Sequence, residues 1–413
     1  MGSESVPAFH WIAAISVLGF GYLRATAFAT PFNSFLTTAG SAAIVVGCVY
    51  ALIVSRLRFR LTSLLLIAAF GLSLLSTFST STAVFRWLGW AMLTVLVGPA
   101  LLGDLSLRRA LWKTTVVFLY VVTGASLVWA ILGLPAIGSG AFAGIAAHSM
   151  ILSPISALTA VHALSMGKGQ RWWLWMGFWL AAGVICLMAG SRVGFGAYLA
   201  GSIATLLVVV RFHPAVVLAA LMSVCLLLIL GSTETLRSIE NALPARITER
   251  AVLTRFEDTR GGLWEARWAE FQMSPFIGVG FASAIFTSQE APEGLASEPG
   301  SSYLAILSMT GIIGVAATLF QAVDIGATVR RRWKSLVYGD QVIVFGWGCA
   351  WAVHLVAEGY ILAVGSTLCM IFWLWVGYIA DLGSVGSTTR RLSRERVSKS
   401  SLPMATGIVA GTG

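Results

Sequence analysis

Arg192 lies in Gly190-Ser191-Arg192, between two apolar runs that leave almost no connecting loop. An arginine at the centre of a membrane helix costs roughly 2.5–3.5 kcal/mol on insertion scales, and a turn relieves that cost by letting the guanidinium reach an interface. A guanidinium there is a candidate functional group, or serves as a topology signal or headgroup anchor. His354 and Glu358 are four residues apart in another apolar run, which predicts one shared helix face and either a proton relay or a structural hydrogen-bonded pair. His148 opens a further run beside Ser149 and Ser153, where it can contact a substrate or serve as a structural donor. Arg260, Trp264, Arg267 and Phe271 recur at spacings of four, three and four, a single face carrying two guanidinium groups and an indole. An amphipathic helix at a membrane interface has the same pattern. No nucleotide-binding P-loop, HExxH, GxSxG or EF-hand pattern occurs, so ATP hydrolysis and the standard metal chemistries lack sequence support.

The elements that must position these groups are membrane spans. The chain has 413 residues, 57% hydrophobic and 11% charged, with a mean hydropathy of +0.85. A soluble domain is about 25% charged, so a water-soluble enzyme is excluded. The glycines follow no G-X-Y period, which excludes a collagenous chain. The net charge of +10 comes from basic residues scattered between apolar runs, the distribution of topology signals and not of a nucleic-acid-binding surface. All five cysteines fall within hydrophobic stretches without a CxxC pair and read as small core residues.

At about 20 apolar residues per crossing, the sequence predicts an all-α polytopic integral membrane protein of about twelve spans: 8–24, 33–54, 61–79, 83–102, 114–134, 147–165, 172–190, 193–211, 214–231, 301–322, 341–359 and 361–380. The first run follows Glu4 without a basic flank and reads as a retained span. The basic clusters at 56–60, 108–113, 168–171, 211, 330–334 and 390–399 hold 18 of the 27 basic residues. With twelve spans all of them fall on one side, which the positive-inside rule makes cytoplasmic, together with both termini. Arg24 and Arg86 fall on the other side and read as ordinary interfacial residues.

Four regions follow: spans one to nine in 1–231, a polar outer loop at 232–300, spans ten to twelve in 301–381, and a basic tail at 382–413 whose composition predicts disorder and attraction to anionic lipid. The outer loop holds ten of the seventeen acidic residues and six arginines but no lysine. Loops of this length in compact folds usually carry chemistry or binding. Residues 234–257 read as helical with an interruption at Pro244, and a second helix is predicted from Thr259 to Ser274-Pro275.

Three stretches in order resemble a known family: Ala189-Gly190-Ser191-Arg192 before a glycine-rich span; Arg260-Gly-Gly-Leu-Trp264 running on to Ser274-Pro275-Phe276-Ile277-Gly278-Val279-Gly280; and Ser302-Tyr303-Leu304-Ala305-Ile306-Leu307 through Thr310-Gly311-Ile312-Ile313-Gly314. Their order and spacing over 189–315 resemble the O-antigen ligase and polysaccharide polymerase family of bacterial envelope glycosyltransferases, with a weaker echo at His148-Ser149-Met150. The resemblance implies a metal-independent and cofactor-free transfer at the periplasmic face of the bacterial inner membrane. Its donor would be an undecaprenyl-diphosphate-linked oligosaccharide, membrane lipid its surroundings, and a chain-length regulator or export machinery its further partners. An acceptor sugar hydroxyl would attack the anomeric carbon, and the lipid diphosphate would leave.

By the same resemblance Arg192 and Arg260 match the diphosphate-binding arginines, with Arg267 and Trp264 as further substrate contacts. Ligases of the family carry a histidine just before the tenth span; here that position reads Glu298-Pro299-Gly300-Ser301-Ser302, and the loop contains no histidine. Glu298 is therefore the expected base or acceptor-orienting group, with Ser301 and Ser302 bonding sugar. A helix cap formed by either serine, with Glu298 exposed, is the structural alternative. The departure favours a chain polymerase over a ligase. A transporter or flippase is the competing class, since twelve spans and intramembrane His354 and Glu358 suit a carrier. The two halves lack the matching interrupted helices of inverted-repeat carriers.

Overall fold

The computed structural model describes residues 10, 18–19, 21–54, 59–79, 81–100, 105–134, 142–166, 172–209, 261–283, 285, 300–363 and 365–382. Within them the chain is helical: α1 (Asn33–Val54), α2 (Leu61–Leu72), α3 (Ser81–Leu96), α4 (Leu105–Ile131), α5 (Ser149–Ser165), α6 (Trp172–Met188), α7 (Arg192–Val209), α8 (Gly261–Met273), α9 (Ser302–Arg332), α10 (Tyr338–Ala357) and α11 (Thr367–Leu382). The segments Leu107–Ile131, Ser302–Ser335 and Tyr338–Ala357 are long and apolar enough to cross a membrane, and the shorter helices are apolar as well. Phe35, Val46, Ile53, Phe85 and Leu207 all point outward with more than half their area uncovered. Hydrocarbon is the solvent that such a surface fits, and the protein is a helical membrane protein. The expected ninth span (214–231), the helix at 234–257, Arg260, Glu298 and the tail beyond Leu382 lie outside the described residues.

The centre of the bundle is α5 packed with α7 and α10. Small residues let the backbones meet: a Cβ on Gly201 would lie 2.6 Å from Val161 and 3.0 Å from the Gly346 carbonyl, and one on Gly346 would lie 2.4 Å from Thr205. Where lipid is as apolar as the side chains, such close packing is what holds helices together. Buried hydroxyls add cross-links, as between Thr123 of α4 and Thr159 of α5 at 3.0 Å.

Two helices extend beyond their predicted apolar runs because partners accept their polar residues. Helix α4 begins at Leu105, well before the expected 114, and Arg108 is buried against Asp381 of α11 at 2.5 Å. Helix α9 continues past 322 to Arg332, since Gln321 donates to Ser63 at 2.8 Å and Asp324 pairs with Arg60 at 2.7 Å. Together with the hydrogen bond from Tyr378 to Asp340 at 2.5 Å, these contacts gather Arg60, Arg108, Arg331 and their acids at one end of the bundle.

Helix α9 is broken. Gly311 adopts φ 63°, ψ −168°, in the left-handed range that favours glycine. The segment after α8 enters the gap. Val279 N donates to Ser308 O at 2.9 Å and Gly280 N to Met309 O at 3.2 Å, while Ile312 N and Ile313 N donate to Pro275 O and Phe276 O at 2.9 and 3.2 Å. The backbone groups that the break would leave unbonded are thus satisfied by loop residues, the condition for irregular backbone at membrane depth. Phe281 anchors the loop, fully buried with its ring 5.6 Å from Trp90 and 6.1 Å from Phe70.

A Cβ on Gly311 would sit 2.3 Å from the Phe276 carbonyl oxygen, whereas one on Gly326 in the same helix meets nothing within 4 Å. Gly311→Ala is therefore expected to destabilise the protein by more than about 2 kcal/mol, and Gly326→Ala to leave it unharmed. Thermal melts in detergent compare the two; equal midpoints for Gly311→Ala and wild type would contradict the geometry.

Candidate functional site

Helices α5 and α7 run parallel, since Ser153 meets Gly194 and Val161 meets Gly201. Helix α10 runs against them, with Val353 at Gly196 and Gly346 at Thr205. The first turn of α9 joins the last of α10: Ser302 Oγ donates to the Glu358 carbonyl at 2.6 Å and Tyr303 Oη to the Ala352 carbonyl at 3.0 Å. Three helix N-termini therefore meet at one end of the bundle, the end away from the Arg60–Asp324 and Arg108–Asp381 pairs.

Each N-terminus is capped by a side chain from the predicted motifs. His148 Nδ1 accepts from Met150 N at 3.0 Å, starting α5. Pairing of Ala147 N with Ala25 O at 2.8 Å sets the approach to that cap. Gly190 at φ 66° turns the chain between α6 and α7, and Ser191 Oγ accepts from Gly194 N at 3.1 Å. Arg192, exposed, is the first residue of α7. Ser301 Oγ accepts from Leu304 N at 3.5 Å and begins α9, the capping alternative that the sequence left open for the serines. The N-termini of three helices thus share one end with the exposed Arg192, and with the C-terminus of α10 and Glu358; helix N-termini favour anions.

Helix α8 reaches the same place from the loop. Trp264 Nε1 donates to the Gly300 carbonyl at 3.2 Å, beside the Ser301 cap, and the indole is 38% exposed. Arg267 goes elsewhere: it is 1% exposed, with Nη1 donating to Glu270 Oε2 at 2.7 Å and to the Ser283 carbonyl at 3.1 Å. Glu270 Oε1 in turn accepts from Ile285 N at 2.7 Å. Burial pulls the guanidinium pKa down while the adjacent Glu270 carboxylate pushes it back up. Trp264 and Arg267, expected on one face, thus occupy different surroundings. Glu270, three residues beyond Arg267, was the partner that the spacing argument had left out.

The pairing of His354 and Glu358 on one helix face requires correction. Helix α10 ends at Ala357, and Glu358 is extended at φ −138°, ψ 136°. Its carbonyl accepts from Ser302 instead of from a further helical turn, so Glu358 leaves the helix axis after His354. Both side chains are buried, at 4% and 2% exposure, and both remain at the N-terminal cluster. Tyr360, missed in the sequence, links this turn to α5 by donating to Met150 O at 3.4 Å, and its ring lies 5.4 Å from His354. The interfacial arginines hold neighbouring turns: Arg24 donates to Gly365 O at 3.1 Å and Arg86 to Ala282 O at 2.6 Å.

Residues 176–319 match the O-antigen ligase family, and this stretch is an O-antigen ligase domain. Members of the family are glycan-transferring enzymes that act on lipid-linked glycans. The matched segment runs from α6 through the Arg192 turn, α8 and the inserted loop to the far side of the break in α9. No curated protein matches the chain.

Arg192 and Arg267 separate by experiment. Removing one partner of a buried pair costs roughly 3–5 kcal/mol, so Arg267→Ala and Glu270→Gln are expected to lower the melting temperature and folded yield. Arg192→Ala, at an exposed position, is expected to melt with wild type. Unchanged melting of Arg267→Ala would contradict its role as the clamp between α8 and the loop.

Proposed function

We propose that this protein is a polysaccharide polymerase. It moves a growing glycan from undecaprenyl diphosphate onto another lipid-linked repeat unit, at the periplasmic face of the inner membrane and without a metal ion. The observation that carries this reading is the convergence of three helix N-termini with Arg192. The basic end, by the positive-inside rule, faces the cytoplasm, which leaves the N-terminal cluster facing outward.

In the proposed reaction the acceptor hydroxyl oxygen forms a bond to the donor's anomeric carbon as the carbon–oxygen bond to diphosphate breaks. The electron pair of the broken bond stays on the diphosphate, and the acceptor's proton passes to a base. Arg192, with Arg260 from the outer loop, stabilises the charge that develops on the leaving group; preorganised donors of this kind act where charge appears in the transition state. Glu298 is the proposed base, three residues before the Ser301 cap. Trp264, bonded to Gly300, offers an indole edge to sugar beside that cap, and His148 starts α5 at the same end, where His354 and Glu358 are buried. Arg267, held by Glu270 and Ser283, acts indirectly by fixing the loop.

The loop's lack of histidine favours polymerase over ligase, while the description of the matched family favours a ligase that passes glycan to a lipid or protein acceptor. Both readings share the donor chemistry. The test incubates purified wild type, Arg192→Ala, Arg260→Ala and Glu298→Gln with lipid-linked repeat units and a chelator, and resolves products by length. Chain growth in wild type, lost by about a hundredfold or more in each arginine variant, is the expected result. Binding of the glycan without growth until a terminal acceptor is supplied would establish the ligase instead. Growth that persists in Glu298→Gln would remove that residue as base.

A further inference from the structure

A groove of about 720 Å³ opens between α9, α10 and α11, within the roughly 300–1,000 Å³ typical of sites for small ligands. One wall is a stripe of α9: Thr318, Gln321, Ala322, Ile325, Gly326 and Val329 recur three and four residues apart. The stripe continues into Arg330, Trp333 and Lys334, which line the groove at the basic end of the bundle. The opposite wall is Phe372, Trp375, Val376 and Ile379 of α11. From Thr318 to Trp333 the stripe spans 15 residues, about 23 Å at helical rise, the reach of one extended acyl chain with its headgroup.

The polar groups along the way are already satisfied. Thr318 Oγ1 donates to Gly314 O at 2.8 Å and Gln321 Nε2 to Ser63 at 2.8 Å, so the inner wall presents hydrocarbon. At the mouth the chemistry changes. Arg330 and Lys334 are exposed, and Trp333 lies between them in sequence, an aromatic side chain suited to the membrane interface. The groove is therefore apolar along its length and cationic at one end. That asymmetry belongs to an anionic amphiphile.

We infer that this groove is a binding site for an anionic phospholipid of the leaflet at the basic end, its acyl chain along α9 and its phosphate between Arg330 and Lys334. The inference does not rest on the proposed glycan transfer: the cationic mouth lies at the opposite end of α9 from Ser301, and the apolar lining runs from there toward Ile306 and Ile361. A chain seated there would cover the contact of α9 with α11 below the break at Gly311.

The test uses the full-length protein in nanodiscs of phosphatidylcholine with a minor fraction of phosphatidylglycerol. Lipids retained after transfer to detergent are read by native mass spectrometry. Two basic side chains at a membrane surface correspond to a preference on the order of thirtyfold for phosphatidylglycerol. Arg330→Gln/Lys334→Gln is expected to abolish the preference while lipid of either kind is still retained. Gly326→Leu, whose side chain would extend into open space, is expected to expel the retained lipid altogether. Melting temperatures of the variants verify folding. Equal retention of both phospholipids by wild type would overturn the inference, as would a preference that survives in the double variant. Retention of added polyprenyl phosphate to the exclusion of phosphatidylglycerol would overturn it in favour of an isoprenoid occupant.

Discussion

The four backbone hydrogen bonds between residues 275–280 and the break in α9 decide where the outer ends of α8 and α9 stand. A helix interrupted within a membrane leaves donors and acceptors that water cannot satisfy, each at a cost of several kcal/mol. Here the loop supplies the missing partners, so the break and the loop require one another. The sequence consequence is a pair of glycines in left-handed conformation, Gly278 and Gly311, whose backbones approach too closely for any Cβ. The Arg267–Glu270 pair extends the same constraint outward by bonding α8 to Ser283 and Ile285.

Electrostatic layering follows from this frame. At one end, guanidinium groups are matched with carboxylates, as in Arg60–Asp324 and Arg108–Asp381. At the other, the N-termini of α5, α7 and α9 converge with the exposed Arg192. Breaking the buried Arg108–Asp381 pair is costly although its presence adds little net stability. Helix N-termini and a guanidinium favour anions. The O-antigen ligase match covers the N-termini of α7 and α9 and the break beneath them.

Much of this organisation was legible in the residues. The apolar run at 33–54 coincides with α1, and the runs at 147–165, 172–190 and 193–211 differ from α5, α6 and α7 by two residues or fewer at either end. Helix α8 ends beside Ser274-Pro275 as its stop signal predicts. The break at Gly311 was not legible, because the apolar pattern continues through it and the partners lie more than thirty residues upstream. Nor was the burial of Arg267, since helical spacing identifies a face without saying what covers it. The early ending of α10 depended on Ser302 capturing the Glu358 carbonyl, a tertiary contact invisible to periodicity. The long extensions of α4 and α9 at the basic end were underestimated for the same reason: Arg108 and Asp324 read as loop residues until their partners are known.

The central claim is that the converging N-termini and Arg192 form the seat of a lipid-linked diphosphate. A cryo-EM structure with undecaprenyl diphosphate, prepared in chelator, tests it most directly. The account predicts density for the diphosphate within hydrogen-bonding distance of Arg192, at the cluster formed by the Ser191 and Ser301 caps. A diphosphate bound instead at the Arg60–Arg108 end, or an outer cluster left empty at saturating ligand, would contradict it.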